Sequence, residues 1–276
     1  MLLSSKDHWL NSLVEFPAGI KIGLFLLTWI IIWLPLGVLL GKRIKWRPFQ
    51  SLSGSQKLPL VLSLYLTTPF VLWLTLRLDR TYLSDYGLSW QPTLFLSLLI
   101  GIVMGIGGIG VIFALEGVFG WLNWHRENLP RLGKIFLPLL GLGLWVGITE
   151  ELIFRGVFFN VLQKDYTLEV AAVISSGIFS LVHLLWERED TLPQIPGLWL
   201  MGMVLVGARL VDGGSIGLAW GLHAGWILGL AALDAAELIS YTGKGLDWII
   251  GFRQQPLAGI GGIFCLLGTG FILSQL

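Results

Sequence analysis

Apolar residues in this chain come in long blocks, not in the alternating or narrow-striped patterns of a soluble fold. Charge-free windows cover residues 22–41, 58–76, 86–115, 170–186, 191–208, 213–233 and 254–276. Each is close to or beyond the ~20 residues with which a helix crosses a hydrocarbon core. An eighth span, residues 135–163, is interrupted only by Glu150, Glu151 and Arg155 in its apolar part. The pattern predicts an all-α polytopic transmembrane bundle of about eight helices. It forms a single integral membrane domain over residues 1–276, and the least certain boundary divides the sixth and seventh helices.

Composition agrees with this pattern. Hydrophobic residues make up 55% of the chain and charged ones 13%, with a mean hydropathy of +0.78, too few charges for the surface of a soluble domain. The net charge of +1 offers no case for nucleic acid, so the lipid bilayer is the expected partner. The first apolar segment is too long for a signal-peptide core and lacks a small-residue cleavage site, so it is expected to stay as an anchor. Lys42, Arg43, Lys45, Arg47 and Lys57 gather in the first loop. The positive-inside rule then puts that loop in the cytoplasm and both termini outside, in a multi-pass plasma (inner) membrane protein. A second polar stretch, residues 121–134, mixes Trp121 and Trp124 with Arg126 and Arg131, as an interfacial segment does. Cys265 is the only cysteine, which rules out an internal disulfide and suits a small buried hydrophobe.

Glycine recurs at every fourth position from Gly213 through Gly217, Gly221 and Gly225 to Gly229. Small residues at this spacing form a ridge along which helices in lipid approach closely. At about 100° per residue, His223 falls on the opposite side from Gly221 and Gly225. Gly101/Gly105 and Gly143/Gly147 repeat the spacing in the third and fourth helices.

Ionisable groups at membrane depth are costly and mark candidate sites. Glu151 and Arg155 are four apart and can pair on one helical face. Glu150 sits about 100° further round, free to face a cavity as a base. The structural alternative is an ion cluster that locks the fourth helix to its neighbours. His183 follows Phe179 by four residues in the fifth span, and His223 lies in the seventh. Counted from Leu140, Glu150 lies ~15 Å into its helix, a depth at which it can meet His183 on the antiparallel fifth helix. That estimate takes Pro138 as a break and residues 137–140 as a lead-in. A Glu and a His converging on one water form a general base able to hydrolyse an amide, and a second His can donate to the oxyanion. The same side chains can ligate zinc. No H-E-x-x-H or Cys-rich spacing exists, so the sequence does not establish a metal or any other cofactor.

The order of these motifs resembles the CPBP family, the CAAX-protease and bacteriocin-processing intramembrane proteins. The resemblance rests on Glu150-Glu151-x-x-x-Arg155, then Phe179-x-x-x-His183, then the Gly-rich helix carrying His223-Ala224-Gly225-Trp226. The approach from Gly202 through Gly207-Ala208-Arg209 to Gly213-Gly214-Ser215-Ile216 adds to it. It covers about residues 139–229, inside a protease-like core of about 135–233. It implies an intramembrane endopeptidase, of a type often called metalloprotease, acting on a membrane-associated peptide or a lipidated (CAAX-type) protein substrate. Glu150 would activate the water with help from His183. Glu151 and Arg155 would orient the site, and His223 would serve the oxyanion or a metal.

One position departs from the family pattern. The third motif commonly ends in Asn four residues after its histidine, where this chain has Ile227. Either His223 and backbone groups suffice, or Trp226 contributes its indole N–H, or the protein is catalytically weakened. The last option leaves open a scaffold or bacteriocin-immunity-type protein of the same fold. A proton-coupled transporter is a third class, against which stands the lack of an internal repeat.

Overall fold

The computed structural model describes residues 15–46, 54–185 and 188–276. Arg47 and Trp186, which figure in the windows and loop charges above, lie outside them. The protein is an all-α bundle. Its main helices are α1 (Ala18–Arg43), α2 (Gly54–Asp79), α3 (Pro92–Val118), α4 (Leu129–Glu150), α5 (Leu168–Val182), α6 (Ile195–Val211), α7 (Gly217–Ala235) and α8 (Ile260–Leu273). Each falls on one apolar window. Among the described residues seven helical stretches are long and apolar enough to cross a membrane, which makes this a multi-pass membrane protein. The eighth window is helical over 14 residues only, because residues 251–259 fold into turns around Gly251 (φ 106°) before α8 begins.

The apolar blocks make the helices, and the glycines decide how they pack. A Cβ on Gly221 would sit 2.2 Å from the Leu98 carbonyl oxygen, and one on Gly105 would sit 2.7 Å from that of Leu222. Only bare backbones fit where α3 and α7 cross. On another side of α7, a Cβ on Gly143 of α4 would lie 2.9 Å from the Ala224 carbonyl oxygen. There the Trp220 indole donates to the Leu144 carbonyl at 2.9 Å. Held between α3 and α4, α7 is the central helix: 61% of its apolar window is buried, against 22% for α1. Leu39, Val103, Phe264 and Phe271 stay exposed on outer helices, as lipid-facing residues do.

Two expectations need correction. Pro138 does not break the fourth span. It lies inside α4, which starts at Leu129. The carbonyl it deprives of a partner belongs to exposed Lys134 near the helix start, where outside groups can satisfy it. Gly213 is not part of the glycine ridge. It sits with Gly214 in the turn before α7, with φ of 62° and 88°, a backbone that glycine adopts without strain. The stretch 121–134 also contains a short strand. Leu122–Trp124 (β1) pairs antiparallel with Ile239–Tyr241 (β2), joining the end of α3 to the segment after α7.

Candidate active site

Helix α4 changes character after Glu150. From Glu151 to Phe158 it is a π-helix, with one α-helical turn, Phe159–Leu162, after it. π segments are rare and recur at functional sites, because the wider turn frees backbone groups for other partners. Two such carbonyls are taken by side chains from neighbouring helices. The Ser175 hydroxyl of α5 donates to the Phe154 carbonyl at 2.7 Å, and the Arg209 guanidinium of α6 donates to the Arg155 carbonyl. Arg209 also donates from Nε to the Gly214 carbonyl at 3.0 Å, tying the π segment to the turn that launches α7.

Inside this frame Arg155 and Glu151 are both fully buried and pair at 3.0 Å, the i,i+4 contact that their spacing suggests. Arg155 further donates to the Gly202 carbonyl at 3.3 Å and lies 4.3 Å from the Phe179 ring centroid. A cation stacked on an aromatic face gains most where water is excluded. Glu151 Oε1 also accepts from His223 Nδ1 at 2.8 Å. The other imidazole nitrogen, Nε2, is 3.6 Å from Glu150 Oε2. His223 therefore stands between the two carboxylates, while Gly221 and Gly225 face α3 on the far side of α7.

Glu150 takes a different position from its neighbour. Its Oε1 accepts a hydrogen bond from the Tyr65 hydroxyl of α2, and its Oε2 is buried with no hydrogen-bond partner. The carboxylate lines a cavity of about 470 Å³ together with His183 of the fifth span and His223, Trp226 and Ile227 of α7. The remaining walls are apolar and come from α2, α3, α4, α6, α8 and the turn before α8. His183 ends α5. Its Nδ1 is 2.7 Å from the Phe179 carbonyl oxygen, and its ring lies edge-on to the Phe179 ring at 4.7 Å. A carbonyl only accepts, so Nδ1 carries the proton and the lone pair of the neutral ring is on Nε2.

Zinc needs at least three such donors converging on one point. Among the described residues no three His, Cys, Asp or Glu side chains are grouped to hold a metal ion. Glu150 Oε1 is engaged by Tyr65 and both histidine Nδ1 atoms are engaged by protein acceptors. As placed, the residues do not form a metal cage.

The family model described as Type II CAAX prenyl endopeptidase Rce1-like matches residues 132–228, from the lead of α4 through α7. Over that stretch the chain is similar to this family, in line with the resemblance of its motifs to the CPBP proteins. An Escherichia coli relative, named Uncharacterized 24.3 kDa protein, is 26% identical over 137 residues. That match covers 49% of this chain and 58% of the relative. No solved structure shows significant similarity to the chain. The matched stretch contains all five charged or imidazole residues of the site but not Tyr65, which α2 supplies from outside it. Tyr65 carries no sequence signal beyond being a lone phenol in an apolar span. Arg209, an arginine at the end of an apolar window, was visible as part of a motif; its role in holding the π segment was not.

Proposed function

We propose that the protein is an intramembrane endopeptidase that hydrolyses a peptide bond of a membrane-associated or lipidated, CAAX-type substrate in a plasma membrane. The observation that carries this is the pairing of chemistry within one apolar cavity. Glu150, with one oxygen unpartnered, and His183, with its basic nitrogen left free by the Nδ1 contact, line the same space, walled by side chains that suit a lipid-bearing peptide.

The reaction follows from the donors and acceptors. Glu150 takes a proton from water as its oxygen attacks the scissile carbonyl carbon, and His183 Nε2 accepts from the same water to hold it. The carbonyl oxygen becomes an oxyanion. Glu150 then passes the proton to the leaving amine nitrogen, the C–N bond breaks, and a carboxylic acid and an amine result. Glu151 and Arg155 neutralise each other, and Glu151 fixes His223 beside Glu150.

A second reading, a scaffold of the same fold, draws on Ile227, which lines the cavity without a hydrogen-bonding group. One experiment separates the two. Wild type and Glu150→Ala are reconstituted in liposomes with a peptide bearing an S-farnesyl cysteine near its C-terminus, and products are read by mass spectrometry. Hydrolytic function requires a released C-terminal fragment from wild type and none from a folded Glu150→Ala protein. Equal release from both would refute it.

A further inference from the structure

Hydrolysis through a tetrahedral intermediate needs a hydrogen-bond donor where negative charge develops, and the cavity supplies few. Its polar side chains are Glu150, His183, His223 and Trp226; Cys265 also reaches the wall. A carboxylate only accepts. The His183 proton is on Nδ1 and directed to the Phe179 carbonyl, leaving an acceptor toward the cavity. The two nitrogens of His223 face Glu151 and Glu150. The Trp226 indole is different: it is a donor and never an acceptor, so it cannot compete for the proton of the attacking water.

Its nitrogen is also unspent. Trp226 is 5% exposed, and its Nε1 is buried with no hydrogen-bond partner. Buried indole N–H groups usually find one, and leaving a donor unpaired costs stability. Two other buried indoles obey the rule: Trp29 donates to the Leu64 carbonyl and Trp220 to that of Leu144. Trp226 lies three residues after His223 on α7, so both point to one face, about 4.5 Å apart along the axis. Trp226 is also a wall residue of the cavity that Glu150 and His183 line, so the unused donor belongs to the same site.

Resting on the hydrolytic reading above, we infer that the Trp226 indole N–H binds the scissile carbonyl oxygen and stabilises it as an oxyanion. It orients the peptide with its carbonyl carbon toward the water held by Glu150 and His183. A donor of this kind acts mainly in the transition state, so its loss appears in kcat more than in KM.

The test compares Trp226→Phe, which keeps most of the ring and removes the N–H, with Trp226→Leu, using the farnesylated peptide and wild type in liposomes. Trp226→Phe is expected to lower kcat by about 10²–10³ with KM changed little and thermal stability retained. If Trp226→Phe cleaves like wild type while Trp226→Leu fails, the residue packs and does not donate, and the inference is overturned. Cleavage that survives Glu150→Ala instead removes the hydrolytic reading itself, so the two failures are distinguishable. Should Trp226→Phe not fold, wild-type protein labelled with ¹⁵N-indole tryptophan decides the matter. A phosphinate analogue of the peptide is expected to shift a buried indole N–H resonance downfield, and no shift in any of them overturns the proposal.

Discussion

His223 and Glu151 lie 72 positions apart in the chain and are hydrogen-bonded at 2.8 Å in its interior. The same carboxylate oxygen takes the Arg155 guanidinium at 3.0 Å, so one atom of α4's π segment anchors a neighbour on its own helix and one on α7. Glu151 thereby becomes the hinge pin of the site, and Glu150, one residue earlier, is left facing the cavity.

Neutralising that pin exposes its role. Glu151→Gln leaves the Arg155 guanidinium buried without a counter-charge, a change that costs about 3–5 kcal/mol where ion pairs are broken from one side. A large fall in melting temperature in detergent is expected. Glu151→Leu combined with Arg155→Met, which removes both charges, is expected to recover much of that stability without recovering activity. A melting temperature indifferent to Glu151→Gln would show that the pair is not structural.

Tyr65 offers a cleaner catalytic test, because it lies outside the family-matched stretch and touches the site through one contact. Tyr65→Phe deletes the donor to Glu150 and little volume. Hydrogen bonds to charged groups contribute about 1.5–3 kcal/mol, so peptide cleavage is expected to slow by roughly tenfold to a hundredfold. Turnover at the wild-type rate would separate Tyr65 from the chemistry.

The π segment depends on side chains that replace its missing helical partners. Ser175→Ala and Arg209→Leu each leave a buried carbonyl unpaired. Costs of about 1–3 kcal/mol per unsatisfied group are expected, with Arg209→Leu the worse because it releases two carbonyls. Chemical denaturation in mixed micelles measures the difference. Equal stability of both variants and wild type would mean that the segment is held by packing alone.

Glycine packing can be checked against a built-in control. A Cβ on Gly221 meets the Leu98 carbonyl at 2.2 Å, whereas one on Gly110, in the facing helix α3, meets nothing within 4 Å. Gly221→Ala is expected to lower stability by about 1–3 kcal/mol or more, since backbone must move to admit it. Gly110→Ala is expected to be neutral or slightly stabilising. Identical melting curves for the two would contradict the close approach of α3 and α7.

Hydropathy made the architecture legible because a bilayer imposes one length and one composition on every crossing. Eight apolar windows became eight helices, and the i,i+4 spacing of Glu151 and Arg155 was enough to anticipate their contact. The ridge through Gly217, Gly221, Gly225 and Gly229 also survived, since small residues at every fourth position have one use in a packed helix. Pro138 misled, because proline breaks helices in water, while a lipid-facing helix keeps its course when only one carbonyl loses its bond. The three-residue strands were invisible: β1 and β2 are too short to show a period, and their pairing depends on two loops brought together by α3 and α7.

From sequence alone came the membrane, the helices, and the suspicion that Glu150, Glu151, Arg155, His183 and His223 belong together. The hydrogen bond from His223 to Glu151 required coordinates, as did the reach of Tyr65 to Glu150 and the unspent indole of Trp226. The reason is physical. Helix formation in lipid is set by local composition along the chain. The partners of a buried polar atom are set by which helices meet at its depth, and with them the chemistry left over for a substrate.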